Sequence, residues 1–444
     1  MKLWSKDNTA TSGMIESFTV GRDQQFDLML ARFDVQGSMA HVQMLAESGL
    51  MTNEEAESAL SGLKEILIHI EAGNFSISPG VEDIHSQIEL LLTERIGEAG
   101  KKIHSGRSRN DQVAVDIKLF LRSELLELKN SITDLFNLFL TQSNAFKNHL
   151  LPGYTHLQVA MPSSFGLWLG AYAESLVDDM ELMLAAYRIT NKNPLGSGAG
   201  YGSSFPLNRK RTTELLGFET LNHNSVYAQM TRGKTEKIVA TAMASVAATI
   251  GRFAMDCCLY ISQNFQFISF PDNLTTGSSI MPHKKNPDVF ELIRAKSNRL
   301  QSTPNELSLL LGNLPSGYHR DLQLTKEILF PAIGELKACI SMTQLMLSNM
   351  QPKENILTDE KYKYVFSVEA VNALVNKGIS FRDAYRQVGN TINEGKFSFD
   401  PSTALHHTHE GSIGNLCNDE IAGEMEAVIR KFRDDRRRTT DDRA

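Results

Sequence analysis

The stretch from Thr275 to Asp288 reads TTGSSIMPHKKNPD. It sets Ser278, Ser279, His283, Lys284, Lys285 and Asn286 between Gly277 and Pro287, a composition that suits neither a helix nor a strand. An ordinary solvated turn would account for polarity alone. Hydroxyl, cation and amide packed this closely also suit a mobile loop that carries anion-binding groups. Asn286, Pro287 and Asp288 read as the cap and first two residues of a helix. Such an N-terminus beside Lys284 attracts negative charge.

Three further clusters carry similar chemistry. GKKIHSGRSRNDQ (100–112) puts Arg107, Arg109 and Asn110 beside Ser105 and Ser108 where a long helix begins. Guanidinium forks, small hydroxyls and a helix N-terminus suit a carboxylate or a phosphate, although a structural arginine network is the competing explanation. PGYTHLQVAMP (152–162) offers Thr155, His156 and Gln158 before an apolar helix, and a single histidine is more often structural than catalytic. SGYHRDLQLTKE (316–327) adds Tyr318, Gln323 and Lys326. GVEDIHSQIE (80–89) reads as a helix start capped by Asp83. Together the clusters describe a multi-point anion site with a lid.

Other motifs fail. GSGAGYG (196–202) has Tyr201 where a dinucleotide loop needs its third glycine, and reads as a tight turn between helices. Gly233-Lys234-Thr235 lacks the upstream glycine of a phosphate loop, which is Ala228. HHTHE (406–410) reads as a surface histidine cluster rather than a zinc site, and there is no GxSxG elbow.

The elements that must position these clusters are helices. Ile117, Leu121, Leu125, Leu128, Ile132, Leu135 and Phe139 recur every three or four residues, as do Phe165, Leu169, Tyr172, Leu176, Met180, Met183 and Tyr187. The second helix is expected to start at Pro162. A third, over about 226–264, is rich in small residues on several faces. A fourth follows Pro287, and a fifth spans about 321–350 with a bend at Pro331. No long alternating segment argues for a sheet. Helices of about 30 residues run to about 45 Å and cannot bury their stripes in one small domain. The expected fold is therefore all-α, a long-helix bundle completed by other subunits. The boundaries expected are 1–108 for an N-terminal helical domain, 109–353 for the central bundle and 354–444 for a small C-terminal helical domain.

The chain has 444 residues, 41% hydrophobic and 22% charged, with a formal net charge of −7. That balance excludes a general nucleic-acid binder but not a local basic pocket. Cys257, Cys258, Cys339 and Cys417 form no CxxC pair and read as small core residues. The N-terminus has no apolar leader core and no run of about 18 apolar residues occurs, so the expected location is the cytoplasm, with no membrane partner.

The loop TTGSSIMPHKKNPD resembles the signature loop of the aspartase/fumarase superfamily. With GKKIHSGRSRNDQV and PGYTHLQ, the chain is similar to the argininosuccinate lyase family in particular. EDIHS, PLGSGA, ELIRAKSNR and ALVNKGISFRDAYRQVG agree in order and spacing, so the resemblance covers nearly the whole chain. It implies reversible elimination of argininosuccinate to arginine and fumarate, with no cofactor or metal. A base would remove a proton beside a carboxylate, and the carbanion would spread its charge into that carboxylate as an aci-form. The resemblance implies Ser278 as the base, Lys284 as a stabiliser of the developing charge, His156 as the acid or the activator of a water, and Glu291 as its carboxylate partner. Implied substrate contacts are Ser108, Asn110, Thr155, Asn286, Tyr318, Gln323 and Lys326, with Arg107, Arg109 and Arg232 at further matching positions. The superfamily implies a homotetramer whose active sites each draw on three subunits.

The chain departs from the pattern in places. Asp23 stands where many members have a serine that touches substrate. Met230-Thr231-Arg232-Gly233 lacks two acidic positions, and Leu324-Thr325 replaces an acidic pair. His283 is more familiar in adenylosuccinate lyases, which are the main enzymatic rival. A non-catalytic crystallin-like protein is the rival of another class. Retention of Ser278, His156, Lys284 and Glu291 together speaks against it.

Overall fold

The computed structural model describes residues 13–277, 279–400, 405 and 407–437. Ser278, the expected base, lies outside the described residues, as does His406. The architecture is all-α around a bundle of long helices. The first apolar stripe becomes the helix Arg109–Ala145, 37 residues long, and all seven of its stripe residues are buried. The second becomes Phe165–Thr190, again with every stripe residue buried. Lys234–Ile261, Asp288–Leu300 and Leu324–Ser348 complete the bundle, with Pro331 inside the last. Aromatic packing ties the helices together. The Phe253 ring lies 5.0 Å from Phe139 and 5.5 Å from Trp168. Asp256 accepts both the Trp168 indole N–H at 2.9 Å and the Tyr172 hydroxyl at 2.6 Å. A second apolar core joins Ala31–Glu47, Asn53–Glu71 and Ile84–Ile96, and a small third one surrounds Val371, Ala384 and Val388.

Several expected helix starts shift. Pro162 lies in a β-hairpin instead, facing Pro152 across the antiparallel strands Leu150–Thr155 and Gln158–Ser164. The helix begins at Phe165 because the Ser164 hydroxyl accepts the Leu167 amide at 3.0 Å. The third helix is broken into Ser225–Met230 and Lys234–Ile261. Gly233 makes the break with φ of +75°, and a Cβ there would meet Leu311 Cδ2 at 2.1 Å. Pro287, not Asn286, occupies the cap position of Asp288–Leu300. Asp83 caps Ile84–Ile96 as expected, accepting the Ser86 amide at 2.7 Å.

By length and composition alone, Lys234–Ile261 could cross a membrane. Its apolar residues instead fill the bundle core, including Val239, Met243, Val246, Ile250 and Phe253. All four cysteines are free, with Cys257 and Cys339 buried. Loops gather at both ends of the bundle. The Arg109–Ala145 helix separates its own start from the hairpin that follows it by about 55 Å, at ~1.5 Å per residue.

Candidate active site

A cleft of about 490 Å3 opens at the end of the bundle where the Arg109–Ala145 helix starts. Its walls come from five separate stretches: 20–27, 82–86, 104–113, Arg232 and 318–326. It collects eight of the expected substrate contacts: Arg107, Ser108, Arg109, Asn110, Arg232, Tyr318, Gln323 and Lys326. Ser108 is the helix cap. Its hydroxyl accepts the Asn110 amide at 3.2 Å, while its own amide donates to Asp111 Oδ1 at 2.8 Å. The other Asp111 oxygen accepts the amides of Gly196 and Gly198 at 2.9 and 2.8 Å. GSGAGYG is therefore the tight turn its sequence suggests, fastened to the start of the helix. Gly196 and Gly198 hold φ of +84° and +61°, a region that favours glycine.

The cations of the cleft are held by identifiable partners. Arg107 is buried and donates to Ser38 Oγ at 3.0 Å. Arg109 donates to Gln112 Oε1 at 3.1 Å and lies 3.4 Å from Glu89. Arg232 is buried, pairs with Glu236 at 3.2 Å and donates to the Leu322 carbonyl at 3.0 Å. Its Nη1 is buried without a hydrogen-bond partner among the described residues. Lys326 Nζ touches Asp23 at 2.6 Å and Asp27 at 2.5 Å. Burial alone would lower the Lys326 pKa, but Asp27 and then Asp23 raise it above its ordinary value. Gln323 donates its amide to the carbonyls of Thr19 and Val20 at 3.1 and 3.3 Å, so it also anchors the chain that enters the cleft wall.

Sequence reasoning passed over His85 within EDIHS. Its Nδ1 lies 2.9 Å from Asp34 Oδ1 and 3.6 Å from Asp116 Oδ2, and all three side chains are buried. Against the burial that would raise it, His85 holds the Asp34 carboxyl down to about 2. Burial and the Asp34 charge push Asp116 well up. These three positions are the group of His, Cys, Asp and Glu ligand atoms whose spacing could suit a metal ion among the described residues. Asp34 Oδ1 already accepts His85 and, at 2.6 Å, the Gln112 amide, so the trio fits a hydrogen-bonded support for the cleft-lining imidazole better than a metal cage. The signal was present in the quoted motif, but the two aspartates lie far from it in sequence.

The remaining expected residues among those described lie at the other end of the bundle. Thr155 and His156 are exposed at the tip of the hairpin. His156 and Leu157 both hold left-handed backbone, at φ of +52° and +57°. A two-residue turn of this hand usually uses Asn and Gly, so the pair is locally strained. Tyr154 packs against Phe265 and Phe267, which ties this hairpin to the segment leading into the signature loop. That loop is itself a small hairpin, with Thr276–Gly277 paired to Lys285–Asn286. Lys284 is exposed within it, and Lys285 pairs with Asp272. Glu291 is exposed in the first turn of Asp288–Leu300. No hydrogen bond or ion pair joins Glu291 to His156 among the described residues.

Comparison with known proteins places these geometries in a lineage. The family model described as lyase matches residues 7–302. An argininosuccinate lyase of Parabacteroides distasonis is 59% identical over 97% of this chain and 96% of its own length. One from Bacteroides thetaiotaomicron is 58% identical over the same shares. Among solved structures, an EDDS lyase variant with bound fumarate superposes with a TM-score of 0.74 at 22% identity. That match covers 98% of this chain and 93% of the other, and shows a shared fold.

Proposed function

This chain is an enzyme of the lyase family, in the argininosuccinate lyase branch of the aspartase/fumarase superfamily, and on that premise we propose that it splits argininosuccinate reversibly into arginine and fumarate, as a step of arginine biosynthesis. One observation carries the reading furthest. Eight expected substrate contacts line one cleft, while Thr155, His156, Lys284, Asn286 and Glu291 sit at the opposite end of the bundle, along which the Arg109–Ala145 helix runs for about 55 Å. A working site then needs the cleft end of one subunit beside the hairpin and loop ends of others. A homotetramer with sites shared among three subunits supplies that arrangement.

The proposed chemistry follows from the residue types. Ser278 removes the proton beside a succinyl carboxylate once the loop closes and desolvates it among cations. The carbanion delocalises into that carboxylate, and Lys284, Asn286 and the N-terminus of Asp288–Leu300 stabilise the aci-form. The C–N bond breaks with proton delivery by His156 or by a water it holds, with Glu291 orienting the imidazole. The strained backbone at His156 supports a functional role for that turn. On the cleft side, Arg107, Arg109, Arg232, Ser108, Asn110, Tyr318, Gln323 and Lys326 hold the substrate's charged ends.

Ultraviolet detection of fumarate from argininosuccinate, with adenylosuccinate in parallel, tests the reaction. No fumarate from argininosuccinate rejects it. Shared sites have a separate signature. His156→Ala and Arg107→Ala preparations, each inactive alone, should regain activity after being dissociated and reassembled together. A mixture that stays silent would reject the shared site.

A further inference from the structure

We infer that Leu157 is a positioning residue for His156: its side chain docks on the cleft end of a second copy of this chain, and that contact holds the hairpin tip in the turn that presents the imidazole. The inference deepens the proposed function, since it takes from that reading the meeting of tip and cleft across subunits. Thr155 pairs with Gln158, so His156 and Leu157 make up the whole turn. Leu157 holds φ of +57°, backbone in which a leucine is strained, glycine is not and asparagine is tolerated. Its own subunit does not cover it, and Leu157 is 75% exposed. A contact outside the subunit is what can offset the strain.

The neighbouring surface points the same way. Residues 155–159 are all exposed, and Val159 and Met161 continue the apolar surface at 39% exposure each. Tyr154 stands opposite Val159 and packs on Phe265 and Phe267, so the hairpin is fixed to its own subunit up to the last pairs before the turn. What projects beyond Tyr154 is a short tip with histidine and leucine side by side. The cleft has apolar side chains to receive such a tip, Val20 and Val113, among its polar walls. A leucine seated there fixes the turn by burial of its apolar surface, and the adjacent imidazole inherits a fixed position. An asparagine-glycine turn would form more easily but would leave the tip without an anchor.

The test compares Leu157→Gly and Leu157→Asn, which suit the turn but lack the anchor, with Leu157→Met, which keeps an apolar side chain of similar volume. In the glycine and asparagine variants kcat and kcat/KM for fumarate release should fall together by about ten- to a hundredfold, with KM and the assembly unchanged, because a displaced His156 fails only in the transition state. Leu157→Met should restore most of the activity. Glycine and asparagine variants as fast as the wild type overturn the inference. So does a methionine variant as slow as they are, and so does dissociation of either slow variant into subunits, which would make Leu157 a support for the assembly. Labelling of Leu157→Cys by a thiol reagent, read by mass spectrometry on its own peptide, needs no turnover. The introduced thiol should react at least about tenfold more slowly in the native protein than in urea-unfolded protein, and equal rates overturn the inference. A wild type that releases no fumarate rejects the proposed reaction, and the labelling then decides alone whether Leu157 is docked.

Discussion

Asp111→Ala should release the 194–202 turn from the start of the Arg109–Ala145 helix. Asp111 is fully buried and accepts three backbone amides, those of Ser108, Gly196 and Gly198. Alanine leaves the two glycine amides in a buried turn without an acceptor, at about 1–3 kcal/mol each. Loss of the capping box adds about 1 kcal/mol. The local opening free energy should thus fall by about 3–7 kcal/mol. Asp111→Asn can turn its single oxygen to the glycines and lose only the cap, at about 1–2 kcal/mol. Hydrogen exchange followed by mass spectrometry on the intact protein reads this directly, because protection tracks local opening. Peptides spanning 194–202 should exchange at least about a hundredfold faster in the alanine variant, and about tenfold faster in the asparagine variant. Fumarate release should fall in parallel, since Ser108 and Asn110 occupy the same helical turn. Unchanged exchange at 194–202 in the alanine variant would show that the turn holds itself, and would refute the reasoning.

Two further expectations concern stability. Gly233→Ala forces a Cβ into left-handed backbone and to 2.1 Å from Leu311, which should cost about 2–5 kcal/mol and lower the melting temperature. An unchanged melting temperature would mean the 231–234 break relaxes freely. The second is a pH effect at His41, which is fully buried with Nε2 2.9 Å from the Ser105 carbonyl. Burial, then the Arg107 charge, lowers its pKa to about 3. The unfolded chain takes up this proton below about pH 6.5 and the folded chain does not. His41 therefore contributes full stability above that pH and loses it as pH falls toward about 3. Urea midpoints should record a loss of about 2 kcal/mol from this group between pH 7 and pH 5. His41→Asn should flatten that slope, and an identical slope in the variant would assign it elsewhere.

What could be read from sequence was whatever repeats locally. The stripes from Ile117 to Phe139 and from Phe165 to Tyr187 are buried in full, because a helical period of this length leaves the chain one way to cover its apolar face. The hairpin at 150–164 was missed because Pro152, Gly153 and Pro162 interrupt the alternation that marks a strand. Helix starts shifted by one to three residues because caps depend on single side chains such as Ser164 rather than on periodicity. The cleft residues were visible as separate polar clusters, and Ser108, Asn110, Tyr318 and Lys326 do come together. The Asp34–His85 pair was invisible, since its partners are 51 residues apart and each resembles an ordinary helix residue. Asp23 stood out as a departure from a pattern, but its contact with Lys326 at 2.6 Å, across about 300 residues of chain, was not legible there.

The long helices also act as lever arms. At mid-bundle Gly251 packs so closely on Ser297 that an added Cβ would lie 3.0 Å from the serine Cβ. A side chain there would wedge Lys234–Ile261 away from Asp288–Leu300. Lys234–Ile261 has 28 residues and is about 42 Å long, so a tilt of about 3° about Gly251 displaces its farther end by about 1 Å. The groups we propose for the reaction sit near the ends of the bundle, where a misplacement of about 1 Å can cost a hundredfold in rate. Small residues at the fulcrum therefore set the alignment of chemistry that they never touch.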